Sequence, residues 1–144
     1  MKRHEALAPL SRDHHSTLIL AQLLKKTAPV YKGLPIHPEN KIVYAKHLFE
    51  KDIEKHFEQE EAMLEKVKGC HPELDKLAIE IADEHKQLTK LFASLGSTDD
   101  LETPMDELGR ALEAHIRKEE RVLFPMLQEH CSEDKLEEIH ILLH

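Results

Sequence analysis

The chain of 144 residues is long enough for one domain with a real core, and its 40% hydrophobic content excludes a disordered chain. A net charge of −8 argues against general nucleic-acid binding, which needs a basic stripe, and two cysteines are too few for a disulfide scaffold. No apolar run is long enough for a bilayer and no signal-peptide pattern follows the basic first residues, so a cytoplasmic protein with no membrane partner is expected.

Helix formers dominate, with only four Gly and no Trp. A first helix is expected over about 9–28. The loop "APVYKGLPIHPEN" follows, rich in Pro. Pro38 suits the first turn of a second helix that reaches about Lys68, where Gly69 can cap it. Pro72 opens a third, which ends near Leu95 before Gly96. Thr103-Pro104 reads as a cap followed by the first turn of a fourth helix that runs to about His130, with Pro125 loosening its last turns. Ser132 can cap a short final helix. Short connections imply antiparallel neighbours. The expectation is an all-α, up-down-up-down four-helix bundle with a short C-terminal helix, forming one domain over residues 1–144.

Each long helix carries an apolar stripe at spacings of three and four. On the first helix it reads Leu7, Leu10, His14, Thr17, Ala21, Leu24, Ala28. The second gives Ile42, Ala45, Phe49, Ile53, His56, Glu60, Met63, Val67, and the third Leu74, Ala78, Ile81, His85, Leu88, Phe92, Leu95. The fourth gives Leu101, Met105, Leu108, Leu112, His115, Glu119, Val122, Met126. Every stripe is broken once, by His or by His with Glu. Twelve His in all are several times ordinary usage. His15 competes with His14, but its own stripe (Ala8, Ser11, His15, Leu18, Gln22) is less apolar. Two unpaired carboxylates in a core would each cost several kcal/mol, so a compensating partner is expected.

The stretches "HFEQEEAMLEKV" from His56 and "HIRKEERVLFPM" from His115 share the pattern H-x-x-x-E-E-x-x-L. On parallel helices they form two halves of one pseudo-symmetric site. Four His and two Glu without sulfur suit iron or manganese, and less specifically zinc. Two carboxylates among several imidazoles suit a pair of metals. Ferritin-like di-iron proteins use Glu-x-x-His instead.

With "RDHH", "HFEQEE", the "EH" of Glu84-His85, and "HIRKEERVLFP" in this order, the chain resembles the hemerythrin-like, HHE cation-binding family from about Leu10 to His130. The resemblance implies a non-haem di-iron centre. Its terminal ligands are then His14, His56, His85 and His115, bridged by Glu60 and Glu119. Oxygen-carrying hemerythrins place a second His where this chain has Thr89, and an Asp near Glu119. The lack of that His predicts one iron short of a nitrogen ligand. By resemblance, the protein binds O2, NO or peroxide for carriage or sensing and is not primarily an enzyme. The alternative is a di-iron redox enzyme, or an iron donor to an iron–sulfur protein under nitrosative or oxidative stress. Manganese or zinc are possible substitutes for iron, and a redox partner is possible.

Several neighbours have lesser expected roles. Asp52, one turn before His56, is a candidate to orient that ring or to ligate directly, against the commoner outcome of a solvated Asp. Glu61 and Glu120 are assigned to the surface or to a supporting position. His47 lies off the stripe. Cys70-His71 and His130-Cys131 are placed at the same end of the bundle.

Overall fold

The computed structural model describes residues 2–144, so Met1 lies outside it. Five helices account for the architecture, with no strand among the described residues. Helix α1 is Ala8–Leu24, preceded by a 3-10 turn Glu5–Leu7 that His4 caps by accepting the Ala6 N–H at 3.0 Å. Helix α2 covers 38–66 and contains a π turn, Phe49–Ile53. Helix α3 is Pro72–Ser94, α4 covers 102–130 with a π turn at Glu119–Leu123, and α5 is Glu133–Leu143. No helix is long and apolar enough to cross a membrane.

The ends follow local chemistry, with three departures from expectation. Helix α1 stops at Leu24 rather than near Ala28. Lys25 turns extended, and the Lys26 N–H is captured by Asp106 of α4 at 2.9 Å. A long-range bond thus ends this helix where helical periodicity would continue it. Helix α4 starts at Glu102, two residues earlier than the Thr-Pro signal indicates. Asp100 caps it, its Oδ1 accepting the Thr103 N–H at 3.1 Å. Pro125 produces no frayed end. It stands just past the π turn, in the first turn of the segment Phe124–His130, where its missing N–H does least harm. Ser132 does cap α5, accepting the Lys135 N–H at 3.1 Å.

Helices α1 to α4 pack as a ring of neighbours: α1 on α2 and α4, and α3 on α2 and α4. Helix α5 lies against α2 and the N-terminal turn. Two hydrophobic cores result, with the polar stripe residues between them. One core holds Phe49, Phe57, Phe92, Leu108 and Leu112. The other holds Leu7, Leu10, Met63, Ile81, Phe124 and Leu127, covered by Leu136 and Ile139 of α5. Along α1 and α3 the chain passes from the second core through its His to the first. Along α2 and α4 it passes the other way.

Gly109 of α4 lies close against α1. A Cβ there would lie 2.7 Å from the Ala21 carbonyl oxygen and 3.2 Å from the Leu24 Cβ. In an exposed helix Gly→Ala stabilises by about 1 kcal/mol, but here the obstacle is backbone. Gly109→Ala is expected to destabilise the fold by about 1–3 kcal/mol, read as a lower urea midpoint at unchanged slope.

Candidate metal centre

The two π turns set which side chains reach the centre. Each inserts one extra residue per turn and so rotates the stripe that follows it. On α4 the expected sequence Glu119, Val122, Met126 is displaced by one position. Val122 is 44% exposed, while Leu123 and Leu127 are fully buried. On α2 the π turn precedes His56, and every expected stripe residue from Ile42 to Val67 is buried.

All six sequence-derived candidates meet in one layer: His14 from α1, His56 and Glu60 from α2, His85 from α3, His115 and Glu119 from α4. Both carboxylates have 0% exposure, and the four rings are buried. His15 faces solvent. Ligand-capable atoms form two groups, each within 4.8 Å: His14, His56, Glu60 and Glu119, and then Glu60, His85, His115 and Glu119.

The two carboxylates belong to both groups, and they do so symmetrically. Glu60 turns Oε2 toward His56 Nε2 at 3.0 Å and Oε1 toward His85 Nε2 at 2.8 Å. Glu119 turns Oε1 toward His14 Nε2 at 2.8 Å and Oε2 toward His115 Nε2 at 3.1 Å. Each carboxylate therefore offers one oxygen to each His pair. Phe57 stacks on the His85 ring at 4.1 Å, and Phe124 lies parallel to His14 at 5.6 Å, giving the layer an apolar cover on both sides.

The outer ring nitrogens are equally ordered. His14 Nδ1 meets Glu120 at 2.7 Å, and His115 Nδ1 meets Glu84 at 2.7 Å. His85 Nδ1 meets Glu61 at 3.0 Å, and His56 Nδ1 meets Asp13 at 3.0 Å. The circuit is closed: α1 leans on α4, α4 on α3, α3 on α2, and α2 on α1. A carboxylate accepts only, so each Nδ1 carries the proton and donates it. Each Nε2 is thereby directed inward with its ring orientation held. Ser11 and Arg3 hold Glu120 in turn, at 2.7 and 3.1 Å, and Lys118 holds Glu84 at 2.7 Å.

Protonation in the metal-free chain reflects this crowding. Burial disfavours the imidazolium of every ring, but carboxylate contacts outweigh it. His14, facing Glu119, Glu120 and Glu60, is raised to about 11. His85 is raised to about 10 by Glu119, Glu60 and Glu61. His56, by Asp13 and Glu60, and His115, by Glu119 and Glu84, rise to about 9. Burial opposes ionisation of Glu60 as well, yet its polar neighbours hold it well below the usual carboxylate range.

Proton sharing does not satisfy the layer. His14 Nε2, His56 Nε2, His115 Nε2, Glu60 Oε2 and both Glu119 oxygens are buried and make no hydrogen bond. Several lie within 3.1 Å of one another without hydrogen-bond geometry, and they fall into the two groups of ligand-capable atoms. Atoms so placed suit a cation, and imidazole with carboxylate suits a divalent transition metal. The side chains present fit the metal implied by the motif.

Two residues stand outside the layer. Asp52 is exposed, and the acceptor for His56 is Asp13 of α1. Thr89 is exposed too, its hydroxyl donating to the His85 carbonyl at 2.7 Å. It does not face the layer, where each group has two imidazoles and one oxygen of each Glu. Asp13 and Glu84 had no role in the sequence reading. The available signal was an acid directly before each of His14 and His85, matching the acid directly after each of Glu60 and Glu119.

Comparison with known proteins bears on this geometry. The model of the family described as Hemerythrin HHE cation binding domain matches residues 76–143. The match rests in the second half of the chain. His85, His115 and Glu119 lie inside the matched segment, while His14, His56 and Glu60 are joined to them by the fold. No curated protein and no solved structure matches the chain significantly.

The raised imidazoles make a prediction for the metal-free protein. A group whose pKa is higher folded than unfolded stabilises fully below its unfolded value and loses that contribution as pH rises through the folded one. The four rings therefore stabilise fully below about pH 6.5 and lose this from about 9 to about 11. Glu60 acts oppositely, its contribution lost only in strong acid. In chelator, the thermal midpoint is expected to fall as pH passes 9. With a divalent metal, which needs neutral imidazoles, that alkaline fall is expected to be blunted.

Proposed function

We propose that the chain is a single up-down-up-down four-helix bundle holding two non-haem iron ions, and that it binds O2, NO or peroxide there for carriage or sensing. The alternating order in which α1 to α4 cross between the two cores supports the topology. The observation that carries the metal assignment is the placement of Glu60 and Glu119, each with one oxygen toward each His pair. His14 and His56 would hold one ion and His85 and His115 the other, with both carboxylates shared. Bound iron supplies a reversible one-electron change and affinity for small diatomic ligands.

The chain's own residues do the rest. Glu60 and Glu119 offset the cationic charge and keep the two ions together. Asp13, Glu61, Glu84 and Glu120 accept the Nδ1 protons, which holds each ring in place and makes it a stronger donor. Phe57, Phe124 and the cores above and below restrict water, which protects a reduced metal from irreversible oxidation. A cavity of about 150 Å³ between α3 and α4 is lined by His115 and Glu84 beside Leu88, Leu91 and Ala114. Through His115 it borders a ring of the layer.

Metal content of anaerobically purified protein, with the optical spectrum before and after air, tests the reading. Two irons per chain and a near-ultraviolet band are expected; no metal, or one weakly held zinc indifferent to ferrous iron, would overturn it. Glu60→Ala and Glu119→Ala are each expected to abolish binding of the second iron, and retention of both ions would remove the bridging role. Glu84→Ala is expected to keep the stoichiometry and weaken metal affinity by roughly 10–100-fold, measured by competition with a chelator.

A further inference from the structure

The end of the molecule remote from Phe49 and Phe92 carries a second chemical cluster that the metal layer does not use. Cys70 lies in the connection between α2 and α3, and Cys131 follows the last residue of α4. Both are free thiols. They share one hydrophobic cluster: Cys131 is buried in it at 8% exposure, and the half-buried Cys70 packs against it. Their covalent neighbours give the geometry independently. The rings of His71 and His130 stack with centroids 3.9 Å apart and planes at 23°. The dipeptides Cys70-His71 and His130-Cys131 are thus face to face, though far apart in sequence.

We propose that Cys70 and Cys131 are a redox-responsive dithiol that closes to an intrachain disulfide under a peroxide-class oxidant. The half-exposed Cys70 reacts first. Its sulfur attacks one oxygen of hydrogen peroxide, the O–O bond breaks, and the departing hydroxide takes the thiol proton and leaves as water. Cys70 is then a sulfenic acid. The Cys131 sulfur forms the S–S bond, the S–O bond breaks, and the second hydroxide leaves as water with the Cys131 proton. In sum, two thiols lose two electrons and one peroxide becomes two waters. The assignment of roles follows from burial, which together with the neighbouring Cys70 sulfur pushes the Cys131 thiol up to about 12. Cys131 is therefore a poor first nucleophile and a well-placed second one.

The bridge would tie the ends of α2 and α4, the helices that carry Glu60 and Glu119. The closed form is a clamp across the pseudo-symmetric halves, and thiol reductants reopen it.

The test is treatment of the purified full chain with excess hydrogen peroxide, followed by intact mass, thiol titration in denaturant and peptide mapping. Expected are a mass loss of two hydrogens, a fall from two free thiols to none, and a Cys70–Cys131 cross-linked peptide. Dithiothreitol should reverse all three. The thermal midpoint of the oxidised form should rise by roughly 5 °C, since a long closed loop restricts the unfolded chain. C131S should accumulate a dimedone-reactive sulfenic acid at Cys70, while C70S should show little labelling. Two thiols persisting, oxygen added without cross-linking, or bridges only between chains would each overturn the proposal. The wild-type mass and thiol count decide the matter even if a variant fails to fold.

Discussion

Two carboxylates with no solvent exposure, Glu60 and Glu119, stand between two hydrophobic cores, and everything around them answers that burial. An ionised carboxylate in such a place costs several kcal/mol unless it meets positive charge and hydrogen-bond donors. Four imidazoles surround the pair, and each imidazole is backed by a further acid. The result is three concentric layers: acceptors at the centre, rings between, acceptors again at the rim. Protons can hold this together, as the raised imidazoles show, but they leave inner atoms without partners. Buried imidazole nitrogens and carboxylate oxygens left in this way suit a bound cation.

The closed circuit of Nδ1 contacts explains why the motif is H-x-x-x-E-E rather than H-x-x-x-E. The first Glu of each pair turns inward and the second reaches the His of an adjacent helix: Glu61 to His85, Glu120 to His14. Asp13 and Glu84, on the two helices that lack a Glu-Glu pair, close the remaining links to His56 and His115. Each helix thus gives one ring to the centre and one acid to a neighbour. Such mutual support ties helix packing to ring orientation, so a shift of any one helix misplaces two imidazoles.

Much of this was legible in the chain itself. The interrupted stripes identified all six inward residues, because helical periodicity places positions three and four apart on one face whatever lies opposite. The choice of His14 over His15 followed from the same rule, as did the helix count. The reading failed wherever a contact crossed between helices or the backbone left the ideal pitch. Val122 and Met126 were assigned inward because a regular helix was assumed, and the π turn at Glu119–Leu123 put Leu123 and Leu127 there instead. Thr89, at the position where the oxygen-carrying hemerythrins have a further His, faces solvent.

The sequence by itself determined an all-helical chain, the polar break in each apolar stripe, and the doubled His-Glu element, since these depend on residue type and local spacing alone. Tertiary structure decided which acid serves which ring, as with Asp13 in place of Asp52. It also decided how the oxygens of Glu60 and Glu119 divide between two His pairs and that the His71 and His130 rings beside Cys70 and Cys131 stack. The physical reason is that these depend on crossing helices and accumulated backbone rotation, and a side chain's partner across a helix interface leaves no periodic trace in its own segment.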